Sequence, residues 1–155
     1  MLKQKENNAV NYNWRGKNIL IVEDHEDHAY LITEFFNETR ANFLIAKTGE
    51  KAIETCLKNK FKINIILMNI KLPDISGFEA TKNIKQLCPA IPVIASTAYA
   101  FRDDRKKCFE AGCIGYISKP YDLDKLGELI NLFVNLFQTM ASKKLVLEVP
   151  FIFGL

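Results

Sequence analysis

Five polar side chains in this chain stand directly after short apolar runs, and their types suggest one kind of chemistry. Glu23 and Asp24 follow NILIV, Asn69 follows INIILM, Thr97 follows IPVIAS, and Lys119 follows GYIS. Two carboxylates, an amide, a hydroxyl and an ammonium in one place would form an oxygen-rich site for a hard cation. Mg²⁺ is such a cation, taking one or two carboxylates and keeping waters that a phosphate can displace. Thr97 and Lys119 are the groups suited to hold the remaining phosphoryl oxygens. No G-x-G-x-x-G or G-x-x-x-x-G-K-[ST] loop occurs, which argues against dinucleotide or P-loop nucleotide binding.

These residues meet only if their strands lie parallel, because a parallel sheet presents every carboxyl end at one edge, the edge where open α/β sheets hold their ligands. Apolar runs at 18–22, 42–46, 63–68, 91–96 and 115–118 have the length and continuity of strands buried on both faces. Amphipathic stretches alternate with them. Ala29, Leu31, Ile32, Phe35 and Phe36 form a helical stripe after the first strand; Ala52, Ile53, Cys56 and Leu57 form one after Thr48; Phe78, Thr81, Ile84 and Leu87 form one over 77–87. A polar helix over 102–111 ends at Gly112, and Asp122 is the N-cap of a last helix carrying Leu123, Leu126, Ile130, Phe133 and Phe137. The expected fold is therefore α/β: a doubly wound, five-stranded parallel sheet with helices on both faces. Leu129, Leu132, Val134 and Leu136 give the last helix a second apolar face. Either a partner or the apolar end of the chain, LVLEVPFIFGL, is expected to cover it.

The chain has 155 residues, 48% of them hydrophobic, enough for one domain with a full core. We expect a tail or linker over 1–16, docking through the lone Trp14, a domain over 17–138, and a C-terminal tail over 139–155. The formal charge of +3 is too small to indicate a nucleic-acid carrier. No run reaches the ~18 apolar residues of a membrane span, and a cytoplasmic location is expected. Cys56, Cys88, Cys108 and Cys113 contain no C-x-x-C pair and read as reduced thiols. His25 and His28 share a helical face, but no third or fourth ligand accompanies them, and His25 reads as a neighbour of the acid pocket.

Four runs together, ILIVED, LMNIKLPDISG, IASTA and GYISKP, resemble in order and spacing the receiver domain of two-component response regulators, over about residues 17–138. The resemblance is closest to receivers of hybrid histidine kinases. It implies a flavodoxin-like sheet of strand order 2-1-3-4-5, a Mg²⁺ site formed by Glu23, Asp24, residue 69 and the backbone carbonyl of Lys71, and a cis Lys119-Pro120 peptide. It also implies Thr97, Tyr116 and Lys119 as phosphoryl-binding and switch residues, and a histidine kinase or phosphotransfer domain as partner. Such a module is not an enzyme, binds no nucleic acid directly, and could form a homodimer through the last helix and strand-five face.

One residue departs from the pattern. Where the family carries its phospho-accepting aspartate, this chain has Asn69. Attack on a phosphohistidine needs an anionic oxygen, which an amide lacks. The expectation is a receiver that does not accept a phosphoryl group and binds Mg²⁺ weakly, because one negative charge is gone. Two other readings remain. One is a phosphate-independent interaction module that dimerises through the last helix and tail. The other is a haloacid-dehalogenase-like phosphohydrolase, whose D-x-D pattern is spoiled here by Asp24-His25-Glu26.

Overall fold

The computed structural model describes residues 11–59, 62–98 and 102–143, with side chains to residue 136. Five strands alternate with five helices: β1 (Asn18–Val22), α1 (Glu26–Phe35), β2 (Asn42–Ala46), α2 (Gly49–Asn59), β3 (Ile63–Asn69), α3 (Gly77–Leu87), β4 (Val93–Thr97), α4 (Arg102–Ala111), β5 (Gly115–Ser118) and α5 (Leu123–Lys143). All strand pairs are parallel, in the order β2-β1-β3-β4-β5. The register pairs Val22 with Ala46 and Met68, Asn69 with Ser96, and Thr97 with Ser118. All five strand ends thus lie along one edge.

Alternation along the strands divides the core into two layers. Leu20, Val22, Ile66, Met68, Val93 and Ala95 point towards α2, α3 and α4, where small residues such as Ala52, Cys56, Ala80 and Cys108 let the helices lie close. Ile19, Ile21, Ile65, Leu67, Ile94 and Ile117 point the other way, into a layer of larger side chains from α1 and α5. Local signals bound the helices as expected. The Thr48 hydroxyl accepts from the N–H of Lys51 (3.1 Å), the Asp122 carboxylate accepts from that of Lys125 (3.1 Å), and Gly112 follows α4 at φ +103°.

Several boundaries and faces differ from the sequence-based expectations. β3 includes Asn69 as its last residue, and β4 begins two residues later than expected, at Val93, and ends at Thr97. Pro92, which has no N–H to give, enters the ladder as an acceptor from Ile66 N–H (2.9 Å). Leu31, Leu57 and Leu87 are half exposed rather than packed inward. A helix lying on a flat sheet buries a narrow stripe, and a residue ~100° away falls outside it: Ala52 and Cys56 are buried while Leu57 is not. Val134 belongs to the core and not to a second face of α5; Leu132 is exposed, and Leu129 only partly buried. The side chain of Phe137 and all of the final apolar run lie outside the described residues.

The expected tail is folded in from Tyr12 onward. Trp14 is completely buried, its ring stacked on Tyr12 (5.1 Å between centroids) and tilted against Phe36 (5.2 Å). Its indole N–H donates to Asn131 Oδ1 on α5 (3.1 Å), and its backbone N–H to the Thr39 carbonyl (2.7 Å). α5 accommodates this through Gly127, where an added Cβ would lie 2.7 Å from Tyr12 and 3.0 Å from Phe36. At the other end α5 runs to Lys143. No helix among the described residues is long and apolar enough to cross a membrane.

Candidate functional site

The chain leaves β1 at Glu23, whose backbone N–H bonds the Ala46 carbonyl at the end of β2 (2.9 Å). This holds the Glu23 side chain over the carboxyl edge, where it is only 2% exposed. At the end of β3, Ile70 N–H continues the ladder to the Ser96 carbonyl (3.0 Å), and Gly77 N–H closes the following turn on the Ile70 carbonyl (2.8 Å). A Cβ at Gly77 would sit 2.2 Å from the Asn69 carbonyl oxygen, so only glycine lets α3 start against the strand end. Ser76 caps that helix by accepting from Glu79 N–H (3.2 Å). Asp74 ties the turn to α2 by accepting from the N–H groups of Gly49 (2.9 Å) and Glu50 (2.8 Å). On the far side Lys119 N–H bonds the Thr97 carbonyl (2.8 Å), and Lys119-Pro120 is cis.

These elements frame a cavity of about 400 Å³ whose lining includes Asp24, His28, Asn69, Lys71, Thr97 and Lys119. Glu23 lies beneath it and collects four donors. Lys119 Nζ reaches Oε2 at 2.7 Å and the Tyr121 hydroxyl reaches the same oxygen at 3.3 Å. Oε1 accepts from the His25 backbone N–H (3.1 Å) and from Asn69 Nδ2 (3.3 Å), with His28 Nδ1 at 3.5 Å. A carboxylate cannot be buried without such compensation. The Tyr121 hydroxyl also shares a hydrogen bond with Ser96 Oγ (2.6 Å), and burial pushes its pKa up, so it is a neutral donor at ordinary pH.

Of the residues named from sequence, Glu23, Asp24, Asn69, Lys71, Thr97 and Lys119 come together. Tyr116 does not. It packs against α4 with the Arg105 guanidinium 4.5 Å from its ring centroid, and lines a separate groove of about 300 Å³ with Phe109, Ile114, Leu129 and Phe133. Tyr121, Ser96 and His28 belong to the acid pocket but do not stand out from the sequence as its members. Ser96 carries a signal: a fully buried hydroxyl in an apolar strand must find a partner. Tyr121 and His28 carry none beyond their proximity to Lys119-Pro120 and to the acid pair.

Asn69, 5% exposed, presents its amide nitrogen to the acid pocket. Its carbonyl oxygen turns away and accepts from Lys71 N–H (3.3 Å). Its Nδ2 faces three acceptors, Glu23 Oε1 (3.3 Å), Asp24 Oδ1 (3.0 Å) and the Lys71 carbonyl (3.0 Å). The opposite amide orientation would set oxygen against three acceptors. The surrounding oxygens are those a hard cation takes, but an N–H group rather than a lone pair points at them. As arranged, the residues present do not fit Mg²⁺.

The sequence and fold are similar to those of known proteins. Residues 19–131 match the response regulator receiver domain family. The polar-differentiation response regulator DivK of Brucella ovis is 33% identical over 120 residues, covering 76% of this chain and 96% of that protein. Among solved structures, a CheY-like response regulator receiver domain protein from Methanospirillum hungatei is 28% identical with a TM-score of 0.72, over 79% of this chain and 97% of its own. The receiver domain of a sensor histidine kinase from Pseudomonas aeruginosa, solved with a magnesium ion in its active-site cleft, is 27% identical with a TM-score of 0.70, over 77% of this chain and 98% of its own. With a family match over residues 19–131 and a five-stranded parallel sheet of order β2-β1-β3-β4-β5, this chain belongs to the response regulator receiver domain family.

Proposed function

We propose that this receiver domain works in two-component signalling as a docking partner of a histidine kinase or phosphotransfer domain, on the cytoplasmic side, without accepting a phosphoryl group at residue 69. The observation that carries this reading is the Asn69 side chain, which sits at the carboxyl end of the central strand and offers hydrogen-bond donors where a nucleophilic oxygen is needed. Glu23, Asp24 and the Lys71 carbonyl are what remains of a metal site, and Mg²⁺ binding is weak with two carboxylates, one of them engaged by Lys119. Thr97 and Lys119 keep the places of phosphoryl-binding groups, and Tyr116 that of the switch aromatic. The module signals by occupancy rather than by turnover, and is not an enzyme.

The groove beside Tyr116 favours a second use of the same domain. Phe109, an exposed residue, lines it, and the lining is largely apolar; a homodimer through α5 and the β5 face would cover it. The main reading is tested by incubating the chain with Mg²⁺ and acetyl phosphate and measuring the intact mass. No change is expected; a labile phosphoryl adduct mapped to residue 69 would overturn it.

A further inference from the structure

We propose that the side-chain amide of Asn69 is an internal stand-in for the divalent cation, so that the oxygens of Glu23, Asp24 and Lys71 are bridged without metal and Mg²⁺ must displace the amide to enter. This rests on the reading of Glu23, Asp24 and the Lys71 carbonyl as the remains of a metal site. The three oxygens converge on one atom, Asn69 Nδ2, at 3.0 to 3.3 Å. The amide is not free to turn, because its oxygen is held by Lys71 N–H and the reversed orientation has no donor to meet. Charge is balanced on the same principle. Glu23 takes the Lys119 ammonium at 2.7 Å, while Asp24 meets the positive end of the amide dipole through Oδ1 (3.0 Å), with His25 Nε2 3.8 Å from its partly exposed Oδ2.

The oxygens also stand at hydrogen-bond rather than metal–ligand distance from Nδ2. Mg²⁺ binds oxygen at about 2.1 Å, so the oxygens around Nδ2 would have to close in by roughly 1 Å each, while the ion sheds water that it releases reluctantly. An amide carries far less charge than the ion but needs no dehydration of that kind, and it is already in place. Its two N–H groups satisfy oxygens that would otherwise face one another.

The Ala variant separates the two roles open to Asn69. If the amide competes with the ion, Asn69→Ala removes the competitor; if Asn69 is a ligand through its carbonyl oxygen, the same change removes a ligand. Mg²⁺ titration by calorimetry, together with thermal unfolding at millimolar Mg²⁺, reads the sign. The wild type is expected to show no shift in unfolding midpoint. Asn69→Ala is expected to unfold at lower temperature without metal, to recover with Mg²⁺, and to bind it on the order of tenfold more tightly than the wild type, the equivalent of one charge-assisted hydrogen bond no longer displaced. Binding by Asn69→Ala no tighter than wild type would overturn the proposal. Should that variant fail to fold, the wild-type Nδ2 protons decide by NMR: slow solvent exchange and resonances unmoved by millimolar Mg²⁺ support the proposal, and fast solvent exchange without metal, or a shift that saturates at millimolar Mg²⁺, overturns it. The phosphoryl-transfer test is independent, since an adduct on residue 69 would end the functional reading whatever the metal response.

Discussion

At the Trp14 flank, a large apolar body is buried around one polar group, and a single hydrogen bond to Asn131 satisfies it. At the carboxyl edge, one buried carboxylate, Glu23, draws on Lys119, Tyr121, Asn69 and the His25 backbone. The first region gains from area removed from water and loses little if its one bond is lost. The second gains little net energy from any bond, but each bond removed leaves a buried charge less compensated. Aromatic packing thus supplies stability on one side, and a polar network supplies a defined geometry on the other.

The largest effect is expected at the flank. Trp14→Ala should cost about 3–5 kcal/mol in denaturant unfolding, as for other fully buried tryptophans, while Trp14→Phe should lose much less; equal losses would mean that the indole hydrogen bond, not packing, holds the flank. Next comes Lys119→Ala, expected to cost about 2–3 kcal/mol because Glu23 loses its only cation at hydrogen-bond distance among the described residues. Pairing it with Glu23→Gln should return part of that loss, and strict additivity in the double-mutant cycle would contradict a coupled network.

Tyr121→Phe is the smallest, at about 1–2 kcal/mol near neutral pH, since Glu23 keeps three other donors while the buried Ser96 hydroxyl loses its partner. Its pH dependence has a definite sign. Burial raises the Tyr121 pKa above 10.0 in the folded chain. A raised phenol contributes stability that is fully present below the unfolded value and is lost as pH rises through the folded one. Wild-type stability should therefore fall more steeply above about pH 10 than that of Tyr121→Phe, when unfolding midpoints are compared across that range.

Legibility from sequence divides along the same line. The sheet can be read because each strand is a short apolar run closed by a polar residue, and five such runs alternating with helical stripes leave few topologies. The acid pair, Asn69, Thr97 and Lys119 emerge from the polar residues at the strand ends. Which end of the Asn69 amide faces the carboxylates cannot be read that way, since it depends on the count of donors and acceptors meeting in space. Leu57 and Leu87 escape the expected burial because a stripe pattern gives a direction without the width of the surface that covers it. Trp14 reads from sequence as part of a docking tail, and its burial depends on Gly127, more than a hundred residues away, leaving room on α5. Tyr121 comes after a proline and looks like an ordinary loop residue until the chain is folded.

The Trp14 flank also gives the molecule an optical property. Trp14 is the sole tryptophan of the chain, it is shielded from water, and it belongs to the layer of α1 and α5 rather than to the acid pocket. Intrinsic fluorescence excited at the indole band therefore reports on a single place. A partner that disturbs the α1–α5 layer should redden or quench that emission, whereas an event confined to Asn69 and its neighbours should leave it unchanged.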